Sequence, residues 1–185
     1  MATLSQKLKS VDRKAAWAAF LFLAKTAAVY LAWKIFTYTL EHIPALSVHW
    51  DAFRDATGAA LAKTTKFIVC DIIGYNGGAY GRIFFIEGTN GIAIKNSCIG
   101  ISAMVIFAGL IAVYPGRRKH KLWYIPLGMV LVQASNLFRL VGLAIMQKHS
   151  SEAFVRFNHG YTYLIITYSF IFILVAWWFN KWAEK

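Results

Sequence analysis

Gly91–Tyr114, GIAIKNSCIGISAMVIFAGLIAVY, decides how the rest of the chain is read. Ile92 and Ile94 alternate with Gly91, Ala93 and Lys95, as in a short half-buried strand. Asn96-Ser97-Cys98 then gives way to an apolar run that continues unbroken to Pro115. This order predicts a strand feeding a membrane helix, with Cys98 on the helix's first turn. Unpaired N–H groups and the positive end of the helix dipole would favour a thiolate there. A cysteine kept only for packing sits more often within the apolar run.

The whole chain fits a membrane setting. Of its 185 residues, 58% are hydrophobic and 16% aromatic, with Trp and Tyr gathered near the ends of the apolar runs, as at bilayer interfaces. No linker or low-complexity stretch divides it, so residues 1–185 read as a single membrane-embedded domain, and no internal repeat is visible. The formal charge of +12 does not point to nucleic acid, because the basic residues cluster at the ends of apolar runs and no nucleic-acid-binding signature is present. Two cysteines, Cys70 and Cys98, without a C-x-x-C spacing, support neither a zinc site nor a thioredoxin-like motif. A disulfide between them is sterically open from sequence alone.

Four spans are expected, at about 15–38, 99–114, 123–146 and 161–179. The fold class is therefore an all-α polytopic membrane protein. Met1–Lys14 forms a basic lead, and Lys25 interrupts the first apolar run, which reads as an uncleaved anchor rather than a signal peptide. Lys25 and Lys34 are expected to snorkel to the interfaces. Pro44 is expected to break the chain, and the mixed charges of Asp51–Ile73 predict an amphipathic helix lying in the interface. Tyr75-Asn76-Gly77-Gly78 reads as a turn. Arg82–Glu87 and Gly91–Lys95 read as a β-hairpin delivering Cys98, and Gln147–Asn158 as a polar loop.

Lysine and arginine set the orientation. With both termini and the Arg117–Lys121 loop in the cytoplasm, that side holds Lys7, Lys9, Arg13, Lys14, Arg117, Arg118, Lys119, Lys121, Lys181 and Lys185 against Asp12 and Glu184. Basic and acidic residues nearly balance on the other side. Cys98 and His159 then both fall at the outer face, and Arg139 lies in the outer half of the third span. An arginine in a span costs about 2.5–3.5 kcal/mol even on lenient insertion scales, and none of the expected spans contains Asp or Glu to neutralise it. Gln133, Asn136 and Arg139 recur at i, i+3 and i+6, a polar stripe that fits a cavity and not lipid. A histidine can take a proton from a thiol and return it to a leaving amine, and an arginine can stabilise a tetrahedral oxyanion. His42, His49, His120 and His149 have no ligand-type spacing with His159, so no metal is expected.

Cys98-Ile99-Gly100-Ile101, then Asn136-Leu137-Phe138-Arg139, then His159 within Asn158-His159-Gly160, resembles the exosortase/archaeosortase family, over about Ile72 to Phe179. The resemblance implies a membrane cysteine transpeptidase or protease of the bacterial cytoplasmic membrane, without a cofactor. Its partners would be exported proteins ending in a short motif, a transmembrane helix and a basic tail. Carried over, Cys98 would be the nucleophile, Arg139 the oxyanion and positioning group, and His159 the general acid/base. Gln133, Asn136 and Asn158 would bind substrate. Ile99 stands where the family often has Ser, and the extra spans of larger members are lacking. The competing reading is a non-enzymatic membrane assembly or transport subunit that uses the polar stripe for helix docking or anion binding. A quinone-linked thiol oxidoreductase is disfavoured by the lack of C-x-x-C.

Overall fold

The computed structural model describes residues 4–158 and 163–183. Its organising element is a helix of 32 residues, here α4 (Arg118–His149), against which the other parts pack. In chain order the elements are α1 (Leu4–His42), α2 (Pro44–Lys66), a π-helical turn (Phe67–Ile72), β1 (Gly77–Tyr80), β2 (Ile83–Ile86), β3 (Ile92–Ala93), a 3-10 turn (Asn96–Cys98), α3 (Ile101–Val113), α4, α5 (Glu152–Phe157), α6 (Tyr163–Trp178) and a closing π-helical turn (Phe179–Ala183).

Several boundaries differ from the sequence reading. The basic lead is helical from Leu4, because nothing in it stops α1 from continuing outward. Pro44 does not interrupt structure but opens α2, at a position where the missing N–H is one a helix leaves unpaired anyway. The expected loop after residue 147 contains α5. Residues 161 and 162 of the expected last span lie outside the described residues. Among the described residues, three helical segments are long and apolar enough to cross a membrane: Phe20–His42, Arg118–His149 and Ile165–Trp182. The expected second span is shorter than predicted: α3 has 13 residues, about 20 Å of helix against a hydrocarbon core of about 30 Å.

The small sheet has order β1-β2-β3 and is antiparallel throughout. Gly77-Gly78, read as part of a turn, belongs to β1, with Gly77 opposite Ile86 and Gly78 opposite Phe85. Arg82 lies across Gly58 of α2 and pairs with Asp55 at 2.9 Å, which ties the sheet to that helix. The last residues of α4 hold it from the other side. Gln147 Nε2 donates to Gly91 O at 3.0 Å and Lys148 Nζ to Glu87 O at 2.8 Å, while His149 Nε2 lies 2.9 Å from Tyr75 Oη.

Close approach governs the helix contacts. Phe107 of α3 lies directly over Gly128 of α4, and Val29 of α1 covers Gly109 of α3. Small residues let helices touch in this way where lipid supplies no hydrophobic drive for association. Long-range polar bonds complete the packing: Trp33 Nε1 to Ser102 Oγ at 3.0 Å, Tyr124 Oη to Leu174 O at 2.7 Å, and Trp178 Nε1 to Pro115 O at 3.0 Å. Lys121 Nζ donates to Ala112 O and Tyr114 O, at 2.8 and 2.6 Å, and so caps the carbonyl end of α3. Lys25 lies over the Tyr114 ring and Lys34 over the Tyr30 ring, so aromatic faces hold both lysines.

A side chain at position 128 would overlap the Phe107 ring. Gly128→Val is expected to cost about 1–3 kcal/mol, read as a lower melting temperature in detergent. Adding Phe107→Leu should recover part of the loss.

Candidate active site

Cys98 is only 2% exposed and ends the 3-10 turn. Its N–H donates to Lys95 O at 2.8 Å. The residue is therefore not on the first turn of α3, as the sequence reading had it, and its own N–H is not among that helix's unpaired donors. Gly100 intervenes with φ +80°, a left-handed conformation that L side chains rarely adopt, and α3 starts at Ile101. The chain thus makes a sharp corner between the cysteine and the helix.

That corner is built against α4. Asn136 is buried and donates from Nδ2 to Cys98 O at 2.9 Å. Gln133 donates from Nε2 to Ile99 O at 3.3 Å. A Cβ on Gly100 would fall 2.9 Å from Asn136 Nδ2 and closer still to Gln133 Oε1. Two consecutive carbonyls that α3 cannot use are thereby satisfied by side chains one helical turn apart on the neighbouring helix. One further turn along, Arg139 Nη2 lies 3.6 Å from Cys98 Sγ. Ser97 Oγ lies 3.8 Å from the same sulfur. The guanidinium sets a fixed positive charge beside the sulfur, a role the sequence reading had given to the helix dipole.

The structure therefore brings together Cys98, Arg139, Asn136 and Gln133 from the residues singled out in the sequence. Asn158, at the end of α5, is buried and donates from Nδ2 to Phe154 O at 2.9 Å within its own turn. His159 lies outside the described residues. Ser97 and Gly100 were not singled out. A glycine two residues after the cysteine, immediately before a run of helix formers, was the available signal for Gly100.

An apolar groove beside Arg139 separates α4 from α6, lined by Leu131, Ser135, Phe138, Ile166 and Phe170 among others. Phe138, next in sequence to Arg139, is 74% exposed. The other cysteine, Cys70, is half-buried on the π-helical turn, and both residues are thiols rather than a disulfide. Burial pushes the Cys70 thiol up; Lys66 opposes this and Asp71 adds to it. Cys70 is thus a weak nucleophile near neutral pH. Among the described residues, no three of His, Cys, Asp and Glu are grouped as metal ligands.

The chain matches the transmembrane exosortase family over residues 14–178, and it belongs to that family. No curated protein and no solved structure matches it.

Arg139→Gln is expected to slow alkylation of Cys98 by iodoacetamide about tenfold at neutral pH, in a Cys70→Ser background, because the positive charge beside the attacking sulfur is removed. The rate is read by mass spectrometry. Gly100→Ala should slow it as well, by displacing the turn from Gln133 and Asn136.

Proposed function

We propose that this exosortase is a membrane cysteine transpeptidase, acting on C-terminal sorting signals of exported proteins at the outer face of the cytoplasmic membrane. The observation that carries the reading is the sulfur–guanidinium contact of 3.6 Å, set in a buried turn that α4 holds by two further hydrogen bonds. Family membership supports the class of chemistry.

In this reading the termini and the Arg117–Lys121 loop are cytoplasmic, and α3 is a fourth, short crossing. The sheet and α5 stand on the outer side, above the cysteine. The substrate's own transmembrane helix rests in the apolar groove between α4 and α6, past exposed Phe138, which brings its outer end to Arg139. No ionic partner is required there, since the groove wall is almost wholly apolar.

The chemistry follows in two stages. Cys98 passes its thiol proton to His159, Sγ attacks the scissile carbonyl carbon, and the electron pair of the C=O collects on oxygen as a tetrahedral oxyanion beside Arg139. The C–N bond then breaks, leaving a thioester on Cys98, and the departing amine takes a proton from His159. An acceptor amine or water next attacks the thioester carbonyl and gives its proton to His159, and the thiolate leaves. Asn136 and Gln133 act as positioning residues: they fix the two carbonyls flanking Ile99 and so aim the sulfur. Asn158 anchors the end of α5 just ahead of His159.

Cys98→Ala should abolish processing of a substrate bearing motif, helix and basic tail while membrane insertion stays normal. Cleavage retained at the wild-type rate excludes the mechanism. Arg139→Lys keeps the charge but loses the planar fork. A fall in kcat of about 100-fold or more is expected, the size usual for removing one oxyanion donor.

A further inference from the structure

The row of backbone groups along the outer edge of β3 is open at Ala93 on both its donor and its acceptor. Ile94 N–H donates to Arg82 O at 2.9 Å, and Phe84 stands opposite Ile92, so these residues turn their backbone polar groups toward β2. Successive residues of a strand point these groups to opposite sides. Gly91, Ala93 and Lys95 therefore present theirs outward, away from the sheet. Gly91 O is taken by Gln147 and Lys95 O by the N–H of Cys98. Between them, the N–H and C=O of exposed Ala93 face outward, and no bond joins them to any described residue. They open on a cavity of about 500 Å³ walled by Lys95, Leu143, Gln147, Ser150 and Val155.

We propose that this edge is the docking strip for the substrate's recognition segment, which binds as an added strand through a pair of hydrogen bonds to Ala93. The inference rests on the transpeptidase reading and adds where the peptide lies. An extended peptide is the occupant because the opening offers one outward donor and one outward acceptor on the same residue, the spacing at which a strand adds to a sheet. The edge also runs directly into the nucleophile. From Ala93, two extended steps and a 3-10 turn reach Cys98, about 13 Å of chain, which four or so extended residues span. Gly91 is bound at Gln147 and Cys98 at Asn136, so the strip lies toward the carboxyl end of α4 from the sulfur. A substrate entering from that end reaches Cys98 with the residues before its scissile bond on β3 and those after it continuing beside α4. The paired residue is therefore about the fourth before the cleaved bond.

The edge permits a clean test, because the Ala93 N–H takes no part in the sheet. Proline there removes the outward donor and no ladder bond, as edge strands tolerate. Full-length protein in proteoliposomes is assayed with a sorting-signal peptide that the wild type cleaves, against Ala93→Pro and Ala93→Val. Ala93→Pro is expected to raise KM at least tenfold with kcat within about twofold, while Ala93→Val, which keeps the N–H, stays near wild type in both. Iodoacetamide labelling of Cys98 at the wild-type rate shows that the proline variant is intact. Independently of any variant, single N-methylation along the peptide should give one sensitive site, about four residues before the cleaved bond. That loss should be unchanged in Ala93→Val, which keeps both backbone groups. An unchanged KM in intact Ala93→Pro, or an N-methyl scan without a sensitive site there, overturns the edge proposal while leaving the Cys98 chemistry standing. Full cleavage by Cys98→Ala instead overturns the transpeptidase reading itself.

Discussion

The bond from Asn136 Nδ2 to the carbonyl of Cys98 is the constraint on which the candidate site depends. A chain leaving a sheet edge and entering a helix through a left-handed glycine leaves carbonyls that neither element can satisfy. In a buried setting an unmet carbonyl costs about 1–3 kcal/mol. Asn136 and Gln133 meet two of them, and in doing so lock the sulfur at a fixed height along α4. Arg139, one turn further along the same helix, then faces the sulfur without any additional adjustment.

This arrangement also accounts for the otherwise costly polar stripe on a helix long enough to cross a membrane. Gln133, Asn136 and Arg139 each have a specific partner on the 96–100 segment, while the groove toward α6 is lined mostly by apolar side chains. The same helix fastens α3 through Lys121 near one end and the sheet through Gln147 and Lys148 at the other. A shift of α4 is thus felt at once by Cys98, by the β3 edge and by the carbonyl end of α3.

The i, i+3, i+6 spacing of Gln133, Asn136 and Arg139 was legible in the sequence because a helix converts spacing directly into a shared face. Cys98 was legible because it stands at the head of a greasy run and not within it. The corner at Gly100 was not, since a glycine before a helix reads equally as loop or as helix. β1 was missed for a related reason. Gly77-Gly78 carries the composition of a turn, yet a side chain at Gly77 would overlap the Phe85 carbonyl across the sheet, so glycine there answers to a close approach that only the fold creates. The sequence also suggested that Gln133 and Asn136 meet the substrate, whereas their amide N–H groups are given to backbone carbonyls. Bonds between residues dozens of positions apart leave no local trace.

The brevity of α3 bears on the lipid around it. A helix of 13 residues packs beside one of 32, and as a membrane crossing it would leave a shortfall in apolar length. Where α3 crosses, a bilayer meeting that shortfall must thin locally or admit headgroups and water along it. On the transpeptidase reading, hydrolysis and amide exchange would both require polar reactants at a depth that intact hydrocarbon excludes. A short α3 crossing would supply that access by deforming the lipid around it.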